Sequence, residues 1–273
     1  MVECNLAKVE VASSNLVSRS KILSVLSFLI TPIRIIACIV WSIFWISLAT
    51  FVNTTKKDPT KLLIYMAHKF WAPGLLRMMG IKLHLEVSTK IDWNKSYMFL
   101  MNHQSLLDPI ITYTVMPNNP CYIVKKSLKY FPIVGGYLRS RKMILIDRKN
   151  KNSAIESLRQ ATDRVAQGMS IICYPEGTRT LNGKIGKFKK GPFVLALDLD
   201  LQIVPVAIEG AFQLLPRGTL WIRPGQISYK IGDPISLAGY SQESRDDLLK
   251  KTREIIIDLH RSIGGTGGDE LLA

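Results

Sequence analysis

Short apolar runs that alternate with helical patterns constrain the fold of this chain most strongly. Each run is four to seven residues long, and several of the stretches between them carry apolar residues at helical spacing. The predicted strands are Lys82–Ser88, Tyr97–Met101, Cys121–Val124, Met143–Ile146, Ser170–Tyr174, Ile203–Ile208 and Ile227–Ile231. The predicted helices are 59–79, Pro109–Val115, the segment that begins at Ser153 and stops at Gly168, Gly191–Leu199 and Arg245–Ile263. Strands alternating with helices indicate an α/β fold, with a mixed β-sheet flanked by helices.

Two prolines interrupt these patterns. Pro73 should break or kink the helix predicted over 59–79, because proline lacks the N–H group that a helix interior uses. Pro205 falls inside a predicted strand, and it suggests that this strand lies at a sheet edge or ends there.

A long apolar segment precedes the α/β pattern. The chain is overwhelmingly apolar from Ile22 to Val52, and the part from Ile35 to Val52 carries no charged residue. Eighteen helical residues extend about 27 Å, close to the thickness of the hydrocarbon core of a bilayer. Three arrangements stay open: a spanning helix from Ile35 to Val52, two helices kinked at Pro32 that dip into one leaflet, or a buried core helix. Lysine and arginine on both flanks do not select an orientation.

These patterns divide the chain into three parts. Residues 1–57 are predicted to form an N-terminal arm and a membrane-anchoring helical segment, with the anchor at about 22–52. Residues 58–263 are predicted to form one α/β domain, and residues 264–273 a loose C-terminal tail.

The charge balance narrows the choice of partners. Among 273 residues, 36 are Lys or Arg and 21 are Asp or Glu, which gives a net charge of +15, while 47% are hydrophobic. Strong basicity together with high hydrophobicity suggests an anionic membrane surface at least as much as nucleic acid. We find no basic face with interleaved aromatic residues and no recognisable nucleic-acid-binding module, so no nucleic acid partner is expected.

Cysteine and histidine usage does not favour a metal site. The four cysteines are scattered without metal-ligand spacing, which is typical of free thiols in a reducing compartment. The four histidines form no ligand motif, and no metal is expected.

The first candidate for chemistry is a histidine close to a carboxylate. His103 comes just after the buried strand Tyr97–Met101, and Asp108 stands five positions later, before Pro109. A continuous helix would hold the two side chains about 140° apart, whereas a turn could bring them together. Asp108 and Pro109 suit the cap and first residue of a helix. A carboxylate on one ring nitrogen would leave the other nitrogen free to take a proton.

The second candidate is a set of cations that follow predicted strands. The segment Pro175–Arg179 follows one strand, and its glycine, hydroxyl and arginine suit an oxyanion ligand. Lys125 and Arg148 stand just past two other strands. Because ligands of α/β sheets gather beyond the carboxyl ends of strands, these cations and His103 are expected at one edge.

Four ordered segments resemble the blocks of the glycerolipid acyltransferase family, most closely its lysophosphatidic acid acyltransferases of the bacterial PlsC type. They are Asn102–Pro109 with its HX4D pattern, Ile146–Arg148, Tyr174–Arg179 and Val204–Ile208. The resemblance covers roughly residues 60 to 240. It departs at Lys142–Ile146, where many relatives have glycine and phenylalanine, and at Tyr174, where phenylalanine is common.

The resemblance implies a role for each site residue. His103 would be the general base that removes a proton from an acceptor hydroxyl, and Asp108 would orient the imidazole. Lys125, Arg148 and Arg179 resemble positions that hold the acceptor phosphate. The acceptor site would also include Glu176, Gly177 and Thr178. Glu176 could instead anchor its loop by pairing with a cation.

The resemblance also implies an activity and a location. The expected reaction moves a fatty acyl group from acyl-CoA or acyl carrier protein to lysophosphatidic acid, which yields phosphatidic acid for phospholipid biosynthesis, without a cofactor. Alternatives are the same chemistry on glycerol phosphate or a lyso-aminolipid, or a non-catalytic membrane-tethered protein that binds anionic lipid. The protein is expected on the lipid bilayer, at the cytoplasmic face of the inner membrane or of an equivalent internal membrane.

Overall fold

A computed structural model describes residues 30–57, 59–117, 120–130, 135–136, 138, 143–146 and 153–268, without the side chains of 153–158. Seven strands form one sheet in the order β1-β7-β6-β2-β5-β3-β4. The strands are β1 (Ile81–Val87), β2 (Met98–Met101), β3 (Pro120–Lys125), β4 (Ile144–Ile146), β5 (Ser170–Cys173), β6 (Ile203–Glu209) and β7 (Gly225–Ile231).

The sheet is mixed, as the sequence predicts. Strands β6, β2, β5, β3 and β4 run parallel to one another, while β7 pairs antiparallel with β6 and parallel with β1. The carboxyl ends of the five mutually parallel strands therefore meet at one edge of the sheet, which is where α/β proteins bind ligands.

Helices cover both faces of the sheet. They are α1 (Ile30–Thr55), α2 (Thr60–Met66), α3 (Ala72–Met78), α4 (Asp108–Val115), α5 (Ser153–Ala166), α6 (Gly191–Asp198), α7 (Ala211–Leu214) and α8 (Arg245–Ser262). Along β2, Phe99 and Met101 pack into one core cluster, and Met98 and Leu100 pack into a second cluster on the opposite face. Burial on both faces explains why this strand has a continuous apolar sequence rather than an alternating one.

The helix predicted over 59–79 continues past Pro73, but a π-helical turn interrupts its α-helical pattern just before that residue. Between α2 and α3 the chain forms a π-helical turn at Ala67–Trp71, and Pro73 lies in the first turn of α3. A proline there needs no hydrogen-bonded N–H, and the wider turn removes the clash with the preceding carbonyl groups.

The edge position suggested by Pro205 is wrong. Strand β6 lies inside the sheet between β7 and β2, and Pro205 pairs with Leu100 of β2. The carbonyl group of Pro205 accepts a hydrogen bond from Gly232 N, which lies just after β7. At Pro205, the edge of β6 that lacks an N–H group therefore faces the segment after β7. The β7 ladder begins only at Val206, and the missing N–H therefore costs no ladder hydrogen bond.

Helix α1 is a single helix over its described length and is long and apolar enough to cross a membrane. Pro32 lies near the start of the described part, and the predicted anchor residues 22–29 lie outside the described residues. One side of α1 contacts the domain: Ile35, Cys38 and Trp41 pack against the core, and Trp41 Nε1 donates to Trp71 O at 3.0 Å. The other side is exposed and apolar, with Ile33, Ile36, Val40, Phe44 and Phe51. The three-part division of the chain stays a prediction.

Candidate active site

The structure brings His103 and Asp108 together at the edge where the parallel strands end. The imidazole Nδ1 of His103 lies 2.7 Å from Oδ2 of Asp108, and the Asp108 side chain is fully buried. Since a carboxylate only accepts, Nδ1 carries the proton of a neutral imidazole and Nε2 is the nitrogen with a free lone pair. The His103 side chain is 20% exposed, so a substrate can reach the ring.

The turn between these residues is held by Asp108 itself. Its Oδ2 accepts hydrogen bonds from the backbone N–H of Gln104 at 2.8 Å and of Ser105 at 3.0 Å. Asp108 is therefore not the N-cap of α4 as predicted, because the cap position is Leu107 and no side chain caps the helix. The carboxylate turns back to the preceding loop, where it meets three N–H donors, instead of capping its own helix.

A loop after β5 covers the histidine. The ring of Tyr174 stacks on the ring of His103 with centroids 4.0 Å apart, and Thr180 N donates to His103 O at 2.8 Å. Burial, followed by the charge of Asp108, raises the pKa of Tyr174 well above its ordinary value, so the phenol stays protonated. The loop fixes the plane of the imidazole from one side while Asp108 holds it at one edge.

Glu176 joins this loop to the histidine through backbone groups. Its Oε1 accepts from His103 N at 2.8 Å and its Oε2 from Gly186 N at 3.0 Å, and only 8% of the residue is exposed. Burial raises the pKa of Glu176, although these two hydrogen bonds favour the ionised form. Glu176 thus anchors the loop, and its hydrogen-bond partners among the described residues are backbone N–H groups rather than a cation.

The remaining residues of the segment face outward. Gly177 adopts φ +71°, and a side chain there would lie 3.0 Å from Cε of Lys189, so glycine allows both the turn and the lysine above it. Thr178 is exposed, and its hydroxyl accepts a hydrogen bond from Arg217 Nη1 at 3.1 Å. Arg179, partly exposed, directly precedes Thr180, which holds the His103 carbonyl.

Lys125 ends β3 at the same edge and is exposed. Strand β5 separates β3 from β2, which places Lys125 about 10 Å from the β2 end at the usual strand spacing. Arg148 lies outside the described residues. Among the residues that the structure describes, no group of three His, Cys, Asp or Glu side chains could hold a metal ion.

Sequence reasoning missed several polar residues behind the dyad. Asn102 makes two hydrogen bonds of 2.8 Å with the backbone of Ile208, and Gln104 Nε2 donates to Glu209 Oε2 at 2.9 Å. The same carboxylate oxygen lies 2.6 Å from Nε2 of the fully buried His260. Although burial raises the pKa of Glu209, hydrogen bonds from His260 and Gln104 bring it below its ordinary value. Spacing offered a signal, since His260 follows Ile256 by four residues and so shares the buried face of α8.

The dyad and the covering loop lie within a segment that matches a known protein family. The family model named Acyltransferase matches residues 82–209. An uncharacterised acyltransferase from Schizosaccharomyces pombe is 34% identical over 191 residues, which cover 69% of this chain and 68% of that protein. The chain belongs to the acyltransferase family.

Other acyltransferases share the same region. A 1-acyl-sn-glycerol-3-phosphate acyltransferase from Limnanthes alba is 30% identical over 66% of this chain, and its counterpart from Saccharomyces cerevisiae is 28% identical over 73%. The match spans 64% of the length of the Limnanthes alba protein and 68% of the yeast protein. The matched region of this chain thus spans less than two thirds of the length of the plant relative.

A crystal structure shares the fold. The 1-acyl-sn-glycerophosphate (LPA) acyltransferase PlsC from Thermotoga maritima superposes with a TM-score of 0.77 at 24% identity, and covers 90% of this chain and all of that one. This acyltransferase therefore shares its overall fold with that structure.

Proposed function

We propose that this acyltransferase moves a fatty acyl group from an acyl thioester to the free hydroxyl of lysophosphatidic acid, which yields phosphatidic acid. The observation that carries the proposal is the buried Asp108 carboxylate on Nδ1 of His103, which leaves Nε2 to accept a proton. Names of relatives that act on 1-acyl-sn-glycerol-3-phosphate support the choice of acceptor.

The dyad can carry out both proton transfers of the reaction. His103 Nε2 takes the proton of the acceptor hydroxyl as its oxygen attacks the thioester carbonyl carbon. The imidazolium that forms lies against the ionised Asp108, which offsets its charge. When the carbon–sulfur bond breaks, the imidazolium returns the proton to the thiolate, so the enzyme ends in its starting state. No cofactor takes part in this scheme.

Cationic side chains would hold the acceptor phosphate. We assign this role to Arg179, Arg148 and Lys125 as the resemblance implies, with Gly177 and Thr178 shaping the loop that carries Arg179. Arg217 adds a guanidinium group next to Thr178, at 3.1 Å from its hydroxyl. Guanidinium groups suit phosphate because they donate two hydrogen bonds in one plane. Glu176 would not bind the phosphate itself, because both of its carboxylate oxygens already accept hydrogen bonds from backbone N–H groups.

The exposed apolar side of α1 supports a place on a lipid bilayer. Next to it, Tyr65 and Phe70 are also exposed, and Phe70 stacks on Trp45 of α1. Such a surface is covered when it enters the acyl region of a membrane. The acceptor and the acyl chain both reside there, while acyl-CoA or acyl carrier protein reaches the site from the cytoplasmic side. We propose a location at the cytoplasmic face of the inner membrane or of an equivalent internal membrane.

Thiol release from an acyl thioester tests this proposal. The purified protein in detergent is given acyl-CoA, or acyl carrier protein loaded with the same chain, together with lysophosphatidic acid, glycerol phosphate or a lyso-aminolipid. We expect turnover with lysophosphatidic acid and phosphatidic acid as product. Turnover only with glycerol phosphate or a lyso-aminolipid would replace the acceptor. No thiol release with any of them would leave the non-catalytic lipid-binding function.

A further inference from the structure

A second histidine–carboxylate pair lies buried behind the dyad. Nε2 of His260 on α8 lies 2.6 Å from Oε2 of Glu209, and the backbone N–H of Gly267 points at His260 Nδ1 over 3.1 Å. Because an N–H group only donates, Nδ1 must be the unprotonated nitrogen and Nε2–H must donate to Glu209. His260 is therefore a neutral imidazole with both nitrogens engaged.

One branch runs from this pair to Asp108. Oε2 of Glu209 also accepts from Gln104 Nε2 at 2.9 Å, while Gln104 Oε1 accepts from Phe212 N at 3.1 Å. With its side chain held at both ends, Gln104 directs its backbone N–H to Oδ2 of Asp108 at 2.8 Å. That oxygen is the one that holds Nδ1 of His103.

A second branch runs to the backbone of His103. The carbonyl of Gly267 accepts from Ile185 N at 3.0 Å, and the next residue, Gly186, donates to Glu176 Oε2 at 3.0 Å. Glu176 Oε1 then accepts from His103 N at 2.8 Å. The two branches meet at His103 and Gln104, so chains of hydrogen bonds connect α8 and the segment after it to the start of the catalytic turn.

Glycines let the segment after α8 approach this closely. A side chain at Gly265 would lie 2.4 Å from the ring of His260, and one at Gly268 would lie 2.6 Å from Cδ1 of Ile257. Gly267 has φ +78°, which only glycine adopts without strain. The described residues of the predicted C-terminal tail are thus packed on α8.

We propose that His260 is a positioning residue of the acyl transfer reaction, which acts through Glu209 and Gln104 on Asp108 and through Gly267 and Glu176 on His103. It touches neither substrate nor reacting atom. Only the kinetic test of this inference depends on the proposed function.

Two substitutions separate the branches. His260→Asn places a side-chain oxygen where Nδ1 was, so it keeps an acceptor for Gly267 N–H and loses the donor to Glu209. His260→Gln places an amide nitrogen near Nε2, so it keeps the donor to Glu209 and loses the acceptor. Gln213→Ala is the control, because the exposed Gln213 donates to the other oxygen of Glu209 at 3.0 Å and contacts neither branch beyond it.

Hydrogen exchange followed by mass spectrometry tests the positioning independently of any substrate. In His260→Asn we expect peptides spanning 102–108 to exchange about tenfold faster than in wild type, because Glu209 loses the donor that fixes its carboxylate and therefore anchors Gln104 less firmly. In His260→Gln we expect the faster exchange at 183–187 and, within 102–108, at the His103 amide, while the amides of Gln104 and Ser105 keep near-wild-type protection. Gln213→Ala should match wild type at both segments. Equal protection of 102–108 in wild type and His260→Asn would overturn the inference.

Kinetics supply the second readout. His260→Asn should lower kcat about tenfold with KM changed less than about twofold, since misplacement of a base weakens the reaction more than binding. The acid limb of the pH–rate profile should move to higher pH, because an Asp108 that has lost one N–H donor holds the imidazolium proton more strongly. The titratable residues Asp108, Tyr174 and Glu176 contact His103, and both variants leave them in place.

The outcomes separate this inference from the proposed function. A wild-type enzyme that ignores lysophosphatidic acid, with the exchange pattern as expected, rejects the acceptor and keeps His260 as a positioning residue. An active wild type whose His260→Asn variant has the same kcat and pH profile rejects the inference alone. A loss of kcat that only mirrors a loss of folded protein, with an unmoved acid limb, also rejects it, because a purely structural residue would behave so.

Discussion

His103 and Asp108 are five residues apart in sequence, yet Nδ1 of one lies 2.7 Å from Oδ2 of the other. The loop between them folds back because the same oxygen also accepts the N–H groups of Gln104 and Ser105. The same carboxylate oxygen of Asp108 therefore both holds the turn and orients the imidazole.

The charge of Asp108 should be essential even where its shape is kept. Asp108→Asn removes the charge that stabilises the imidazolium, and an amide that presents its NH2 group to the turn would clash with three donors. We expect kcat to fall about a hundredfold or more, with a smaller change in the KM of either substrate. Steady-state thiol release at saturating acceptor measures this, and a variant within about threefold of wild type would contradict the assigned role.

Arg179 and Arg217 should act on the acceptor rather than the donor. Arg179→Ala removes a forked donor set from the loop over His103, and we expect the KM for a phosphorylated acceptor to rise about tenfold. Arg217→Ala should have a smaller effect in the same direction, because this residue also binds Thr178. Lys184→Ala, an exposed cation on the same loop, is the control. An equal rise in the KM for acyl-CoA would show that these arginines are not an acceptor phosphate site.

Substitutions at Tyr174 separate the effect of ring stacking on His103 from the effect of the phenol hydroxyl group. Its buried hydroxyl has no hydrogen-bond partner among the described residues, while its ring stacks on His103. Tyr174→Phe keeps the ring and removes an unsatisfied polar group, so we expect kcat within about threefold of wild type and an equal or higher melting temperature. Tyr174→Ala should lower kcat about tenfold, because the imidazole loses its stacking partner. If Tyr174→Phe lost as much activity as Tyr174→Ala, the hydroxyl rather than the ring would matter.

Glu176 should make stability depend on pH in a defined direction. Burial raises its pKa in the folded state above the ordinary value of 4.5, so the folded protein holds this proton more tightly than the unfolded chain. The contribution of Glu176 to stability is then full below pH 4.5 and falls as pH rises through the raised pKa.

Thermal unfolding against pH, with Glu176→Gln as reference, measures this contribution. The glutamine does not titrate, so the melting temperature of wild type minus that of the variant should decline as pH rises through this window. A difference that stays constant, or grows with pH, would mean that the hydrogen bonds from His103 N and Gly186 N outweigh burial.

Local patterns predicted most of the fold because each element carries its own signal. The buried run at β2, the start of α5 at Ser153 with its end just before Gly168, and the π-helical turn ahead of Pro73 each depend on residues a few positions apart. The prediction of an edge position from Pro205 was wrong because the place of β6 in the sheet depends on where β7 starts to pair with it. That pairing involves residues more than 20 positions away from Pro205.

The site residues that lie at or just after strand ends could be predicted from the sequence. His103 and the Tyr174–Arg179 segment follow strands and Lys125 ends one, and the carboxyl ends of these strands meet at one edge. The polar residues behind them could not be predicted, because the contact of Gln104 with Glu209 and His260 joins three segments that are far apart in the chain. Nothing local to His260 distinguishes a buried polar partner from a surface histidine except its spacing from Ile256.

The most direct test of the account is thiol release by His103→Ala with acyl-CoA and lysophosphatidic acid, alongside wild type and with matched thermal unfolding of both. A folded variant whose kcat is lower by about a hundredfold or more agrees with a general base at Nε2. A folded variant that releases thiol and forms phosphatidic acid at close to the wild-type rate would contradict it.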